Sequence, residues 1–259
     1  MYTKNCPSNT NGRPIKDDFF DVLRFDELDS TNTYLKTLAK NGAKEGVVVV
    51  ADAQSAGKGS KGRDFFSPKG SGIYMSVLLR PPFESQKCLY ITPMAAVAVC
   101  ESIEETCGVY PSVKWVNDLY LNDKKICGIL TESKFSDDDA ARIEYCVLGI
   151  GINLFFPECG FGDLSDAAGC VSTKRDDDLK DLLIKKILQK IKFYYDDLDK
   201  KPFLQKYRQK CFLRGKLVTV LPQNRQATVE GVTDEFDLAV TFLDGTTQIL
   251  NSGEVSLKL

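Results

Sequence analysis

Three short segments carry residue types that handle anions. The first is Lys114-Trp115-Val116-Asn117-Asp118, followed by Lys124-Lys125. A lysine among apolar neighbours on a strand can set its ammonium between two negative groups. Asn117 and Asp118 offer the hard oxygen ligands that magnesium takes alongside substrate phosphates. A plain charged hairpin with a turn aspartate fits the same residues. The second segment is ADAQSAGKGSKGRDFFSPKGSG, residues 51–72, which mixes Gly57, Gly59 and Gly62 with Lys58, Lys61, Arg63 and Lys69. Glycine lets the backbone approach a ligand closely, and the cations offset phosphate charge. A lid over an anion and a solvated hairpin tip are equally served by this composition. The third is Gly149-Ile150-Gly151-Ile152-Asn153, small residues on a strand with room for a flat ligand, a weak signal alone.

Familiar sites are excluded by what surrounds these segments. Gly57, Gly59 and Gly62 spell G-x-G-x-x-G after a strand, but RDFFSPKGSG follows and cannot be the amphipathic helix that a dinucleotide site needs. Arg63-Asp64 stands where a phosphate-binding P-loop has Lys-Ser or Lys-Thr. The chain has no histidine, so imidazole triads and histidine metal sites are absent. None of the nine cysteines falls in a C-x-x-C pair, so they read as small buried hydrophobes in a reducing cytoplasm. The 259 residues carry 34 lysines and arginines against 36 acids, which gives no basic field for nucleic acid or an anionic membrane. The N-terminus lacks the apolar run of a signal peptide, and no stretch reaches the roughly 18 apolar residues of a membrane span.

The elements that must position these residues are legible from periodicity. Residues 1–17 read as a polar tail and FFDVLRF as a short strand. Ser30 reads as the N-cap of a helix bearing Leu35, Leu38 and Ala39 and closed by Gly42. The β-branched runs 46–54 and 72–81 read as buried strands. Thr92-Pro93 starts a helix, with the proline at its first position, that runs to Gly108. Residues 113–133 read as two strands joined by a turn at Asn122-Asp123, 143–154 as a strand, and 155–175 as irregular. Residues 176–198 form the clearest helix, opened by three aspartates, with Leu179, Leu183, Ile187, Ile191, Tyr194 and Leu198 on one stripe. Beyond about Cys211, five short alternating strands predict a small barrel. The domains expected are a tail (1–17), a main domain (18–213) and a C-terminal domain (214–259).

Taken in order, the motifs resemble those of the biotin protein ligases, over residues 20 to 258. Ser30-Thr31-Asn32 resembles the family's S-T-N. Gln54 with Gly57 to Arg63 resembles its Q-x-x-G-R-G-R-x-G-R loop. Gly72-Ile73-Tyr74 with Leu79-Arg80-Pro81 resembles the strand that follows. Lys114 to Tyr120 resembles K-W-P-N-D-L-Y, and Lys124 to Leu130 resembles K-K-x-x-G-I-L. Gly149 to Asn153 resembles G-x-G-I-N, and Gly253-Glu254-Val255-Ser256 the terminal G-E-[IV]-S. Single motifs are loose; the ordered set is specific.

The resemblance implies an α+β fold: a mixed-sheet catalytic domain flanked by helices, with an SH3-like C-terminal barrel. It implies an ATP-dependent ligase that converts biotin and MgATP to biotinyl-5′-AMP and pyrophosphate, then transfers biotin to a lysine of a carboxylase carrier domain. Lys125 and Lys114 are the implied catalytic pair. Ser30, Thr31, Asn32, Gln54, Lys58, Gly59, Ser60, Lys125 and Gly128 would contact biotin. Gly57, Lys58, Gly62, Arg63, Phe65, Asn117 and Asn153 would contact ATP or the adenylate, and Asp118 would hold Mg2+. No helix-turn-helix segment is expected, hence no operator binding, and the family's pairing through sheet surfaces leaves a homodimer open. A lipoate or octanoate ligase or transferase of the same fold is the alternative.

Three departures from the family pattern stand out. Val116 replaces a proline, Phe65 replaces a tryptophan that covers the ligand, and Ser60 replaces an arginine of the loop that retains the adenylate. Looser retention of biotinyl-AMP is expected from Ser60 unless Lys61 or Arg63 compensates. Lys61, in an extended loop, would point away.

Overall fold

The computed structural model describes residues 18–251 apart from 83 and 140, and a last strand at 256–258. The tail at 1–17 and Gly253 to Val255 of the terminal motif lie outside the described residues. The main sheet has seven strands: β1 (Asp21–Leu28), β2 (Val47–Gln54), β3 (Gly72–Leu79), β4 (Ser112–Lys114), β5 (Asp118–Leu121), β6 (Lys124–Phe135) and β7 (Ile143–Asn153). Their spatial order is β1-β2-β3-β7-β6-β5-β4. Only β1 and β2 run parallel, joined by α1 (Thr31–Lys40); all other neighbours are antiparallel.

Every residue of β3 is buried, as a strand covered on both faces must be. Its Leu78 packs with Leu35 and Ala39 of α1 on one face. Met75 and Val77 face the helix α2 (Ile91–Cys107) on the other. Eleven of the seventeen residues of α2 are buried, so this helix is apolar around most of its circumference. Its outer side is closed by α3 (Asp177–Asp196), which presents Leu183, Ile187, Ile191 and Tyr194 inward. The order of layers is therefore α1, sheet, α2, α3. Asp176 caps α3, its carboxylate accepting from the N–H groups of Asp178 and Leu179.

Two expectations need correction. Pro93 is the third residue of α2, because a 3-10 turn over Ser85–Tyr90 feeds the helix from Ile91. A proline there is still harmless, since first-turn N–H groups have no partner within the helix. Residues 113–133 form three strands, not two: the chain turns at 115–117, between β4 and β5, before the expected turn at Asn122-Asp123. The Trp115–Val116 peptide bond in this turn is cis.

After α4 (Leu204–Lys210), the chain forms a five-stranded antiparallel sheet of SH3-like character from β8 (Leu217–Leu221), β9 (Arg225–Val232), β10 (Leu238–Phe242), β11 (Thr247–Leu250) and β12 (Ser256–Lys258). The order is β11-β10-β9-β8-β12. Among the described residues no helix is long and apolar enough to cross a membrane.

Candidate active site

The start of α1 lies beside the end of β2, because the β1–α1–β2 crossover returns the chain to that edge. This brings Ser30, Thr31 and Asn32, all buried, against Gln54. The Gln54 Oε1 accepts from the Thr31 N–H at 2.9 Å and from its hydroxyl at 3.1 Å. Its amide nitrogen donates to Ser67 Oγ at 2.9 Å, and Ser67 in turn donates to the Phe65 carbonyl. Ser30 caps α1, accepting from Thr33 N–H.

Asn32 extends the polar floor into the sheet. Its Nδ2 donates to Glu132 Oε2 at 2.8 Å, while its Oδ1 accepts from Ser76 Oγ at 2.5 Å. Ser76 Oγ is also 2.8 Å from Thr31 Oγ1. A carboxylate only accepts, so Glu132 fixes which end of the Asn32 amide faces it. Gly149 makes room for that amide: a methyl group at 149 would stand 2.3 Å from Asn32 Oδ1. Burial alone would raise the Glu132 carboxyl, but hydrogen bonds from Lys36 and Asn32 outweigh it and hold the group below its ordinary value. A carboxyl so depressed stabilises the fold above its unfolded pKa and loses that contribution as pH falls through the folded one. Glu132→Gln should therefore lower stability at neutral pH by roughly 1 kcal/mol. In denaturant titrations the difference should begin to shrink as pH falls below about 4.3, the unfolded value, and close as it passes the lower folded one; a penalty independent of pH would sink this account.

The glycine-basic segment folds back over the cavity as a hairpin. Gly59 N–H donates to the Arg63 carbonyl at 2.7 Å and Phe65 N–H to the Gly57 carbonyl at 2.9 Å. Its tip is a short 3-10 turn, Ser60–Gly62, in which Lys61 adopts φ 59°, ψ 37°. Lys61 is therefore not in an extended stretch, which corrects the expectation made for it. Arg63 reaches back over Ser60: its Nη2 donates to Ser60 Oγ at 2.8 Å and its Nε to the Ser60 carbonyl at 3.1 Å. A guanidinium thus stands beside the serine that replaces the expected arginine. The Phe65 ring lies over two glycines of the sheet, since a methyl at Gly151 would stand 2.6 Å from it and one at Gly128 3.2 Å.

Across the cavity, β5 and β6 bring Lys125 to Asp118, with Nζ to Oδ1 at 2.6 Å. Asn117 is locked to the next strand, its Nδ2 donating to the Ile129 carbonyl and its own carbonyl accepting from Ile129 N–H, both at 2.9 Å. Asn153 donates to the Gly169 carbonyl at 3.0 Å. Residues 167–169 also pair with the Lys125 backbone, drawing the irregular segment in as a wall. Lys114 lies half-buried with its ammonium 5.8 Å from the Tyr120 ring centre. Burial lowers its pKa, Asp118 opposes that, and Lys125 and Arg63 add to it.

These groups enclose a cavity of about 260 Å³. Of the residues expected at a site, Ser30, Thr31, Asn32, Gln54, Lys58, Gly59, Ser60, Arg63, Phe65, Asn117, Asp118, Lys125, Gly128 and Asn153 all line it. Lys114, Gly57 and Gly62 do not: the lysine turns to Tyr120, and the two glycines shape the hairpin from outside. A methyl on Gly57 would meet the Phe65 carbonyl at 2.4 Å, so its role is close packing. Sequence reasoning missed Phe161, Leu164, Ala167 and Ala168 of the wall, and Ser76, Glu132 and Lys36 of the floor. A serine inside the apolar run Met75 to Leu79 was the available signal for Ser76. The wall residues carry no periodic signal.

Among the described residues no three Cys, Asp or Glu side chains are grouped to hold a metal. Asp64 and Asp118 are the carboxylates of the cavity wall. So few carboxylates beside a cationic loop suit a magnesium ion carried in by phosphates rather than caged by protein.

The model of the biotin/lipoate A/B protein ligase family matches residues 24–153. The bifunctional ligase/repressor of Bacillus subtilis is 43% identical over 152 residues, 58% of this chain and 46% of that protein. The biotin–[acetyl-CoA-carboxylase] ligase of Paracoccus denitrificans is 34% identical over 128 residues, 49% of this chain and 51% of that one. The matches thus span about half the length of these curated relatives. Among solved structures, the biotin protein ligase of Aquifex aeolicus in complex with biotin and ATP superposes with a TM-score of 0.73 at 27% identity, covering 92% of this chain and 98% of that one.

Proposed function

Because the chain belongs to the biotin/lipoate A/B protein ligase family, we propose that it activates biotin with MgATP and transfers it to a lysine of a carrier domain. The observation that carries this is one cavity with two chemically different ends. Its floor, at Thr31, Asn32 and Gln54, is buried and bristles with donors and acceptors. Its other end is cationic, with Lys58, Arg63 and Lys125 on the wall. The ureido ring of biotin has N–H donors and a carbonyl for the floor, and its carboxylate tail suits the cations. A lipoyl dithiolane has no such groups to engage the polar floor, which favours biotin. The similar Aquifex protein, in its complex with biotin and ATP, supports the same choice.

In the first step a biotin carboxylate oxygen attacks the α-phosphorus of ATP and pyrophosphate leaves. Both partners are anionic. Lys125 and the loop cations offset the repulsion as charge builds on the phosphate oxygens, while Asn117 and Asn153 approach the nucleotide. Lys114, set back from the cavity, adds positive potential behind Asp118. Asp118 would hold magnesium, which neutralises triphosphate charge when bound. In the second step the carrier lysine amine attacks the acyl carbon and AMP departs. Phe65 and the hairpin over Gly57 to Arg63 keep water from the mixed anhydride.

We assign residues 18–213 to catalysis and 214–259 to the C-terminal domain, in a cytoplasmic enzyme whose acceptor is a biotin carboxyl carrier domain. A reducing compartment suits Cys88 and Cys146, which meet as thiols at 3.5 Å.

Biotin-dependent exchange of radiolabelled pyrophosphate into ATP is the direct test, with biotin expected to raise the melting temperature and lipoate not. Exchange supported by lipoate instead would reassign the substrate. Ser60→Arg tests the retention loop. If Arg63 already serves the adenylate, its off-rate should stay within about twofold of the parent; if Ser60 leaves a leak, Ser60→Arg should slow release about tenfold.

A further inference from the structure

Among the described residues the C-terminal sheet meets the main domain at the tight turn between β9 and β10, beside a bond from Arg208 Nε to the Val232 carbonyl. Residues 233–237, between β9 and β10, fold on themselves, with Thr233 N–H donating to the Asp237 carbonyl at 2.9 Å and Thr233 Oγ1 accepting from the N–H groups of Glu235 and Asp237. At its apex Phe236 has φ 63°, an unfavourable backbone for a bulky side chain, yet it is 4% exposed. Its ring stacks on Phe203 (centroids 5.3 Å apart, planes at 15°) and meets Tyr207 and Tyr90 at 5.6 and 5.4 Å. Its carbonyl accepts from Trp115 Nε1 at 2.7 Å. Tyr207, from the same aromatic group, donates to the Val116 carbonyl at 3.0 Å.

The turn thus holds Trp115, while Tyr207 of α4, packed against Phe236, holds Val116; the next two residues are Asn117 and Asp118. Asn117 ends the short link between β4, three residues long, and β5, four residues long, and Asp118 opens β5. Strands so short at the margin of a sheet hold a loop poorly by themselves. The grip from behind supplies what the local sequence lacks. On the cavity side, Asn117 docks on Ile129 and Asp118 on Lys125, so the loop is fixed from both faces. The floor at Thr31, Asn32 and Gln54 shares no partner with it among these contacts.

We propose that Phe236 is a positioning residue for the nucleotide half of the active site, acting through Trp115 to hold Asn117 and Asp118 while leaving the biotin floor untouched. The inference rests on the ligase function proposed above. Two variants of the full chain test it. Trp115→Phe removes the N–H donor and keeps the aromatic bulk; Phe236→Leu keeps an apolar plug and loses the stacked ring. In pyrophosphate exchange the KM for ATP should rise about tenfold in Trp115→Phe, from loss of one buried hydrogen bond. It should rise at least as much in Phe236→Leu, while the biotin Kd from calorimetry stays within twofold in both. Equal weakening of biotin and ATP, or an unchanged KM for ATP with only a lower melting temperature, would overturn the positioning role. Absence of biotin-dependent exchange in the parent chain would instead overturn the function on which it rests.

Discussion

Lys125→Met is expected to lower biotin-dependent pyrophosphate exchange by about three orders of magnitude, the scale seen when a donor aimed at developing oxyanion charge is removed. Two effects combine. The ammonium that offsets carboxylate–phosphate repulsion is gone. Asp118, 17% exposed and 2.6 Å from that ammonium, also becomes an uncompensated negative charge at the point where a triphosphate must arrive. Asp118→Asn should therefore cost less in the Lys125→Met background than in the parent, so that the double variant is better than the product of the singles. Lys124→Met is the control. Its side chain projects to the opposite side of the strand and donates to the Ser165 carbonyl, so exchange should stay within about threefold of the parent. Equal losses at 124 and 125 would show that general positive potential, rather than the placement of one lysine, supports the reaction.

Gly149→Ala should weaken biotin binding about 100-fold, with the KM for ATP nearly unchanged. The added methyl would stand 2.3 Å from Asn32 Oδ1, and Asn32 cannot swing away cheaply. It is 4% exposed and tied to both Glu132 and Ser76, so moving it breaks two hydrogen bonds in a buried network. Leaving such groups without partners costs about 1–3 kcal/mol each, and about 1.4 kcal/mol is a factor of ten in affinity. Gly151→Ala meets the Phe65 ring instead, at 2.6 Å, on a side chain that is only half-buried. Its effect should be the smaller of the two on biotin and should fall on adenylate retention. Titration calorimetry with biotin separates them, and a Gly149→Ala affinity within threefold of the parent would remove Asn32 from the floor.

Elements whose hydrophobic period is their own were legible from the residues. The β-branched run of β2, the apolar run of β3, the capped start of α1 at Ser30 and the striped α3 all lie where their patterns put them. What the pattern could not show is structure decided by distant partners. Trp115-Val116 reads as strand because both residues favour it, yet the chain turns there, with the indole held by a carbonyl 121 residues further on. The wall at Phe161 to Ala168 is fixed by backbone pairing to Lys125, which leaves no trace in side-chain periodicity. Of the site, charge and glycine content marked the hairpin and the two lysine segments as anion-handling. That Thr31, Asn32 and Gln54 form a floor came only through resemblance, since small polar residues at a helix start also read as simple capping. Glu132 escaped both routes, being one more charged residue on a strand until Asn32 is seen beside it.

The hydrogen bond from Trp115 to Phe236 has a consequence for modularity. A late segment of 45 or so residues with its own sheet invites transplantation between relatives, as if it were an appendage joined by a linker. Here its 233–237 turn is joined to the 115–117 turn by the Trp115–Phe236 bond and seats Phe236 among Phe203, Tyr207 and Tyr90, an aromatic knob with its socket. A chimera that imports a foreign terminal sheet without the matching socket would inherit a working vitamin pocket and a misaligned nucleotide seat, so the two stretches must drift, or be exchanged, as a pair.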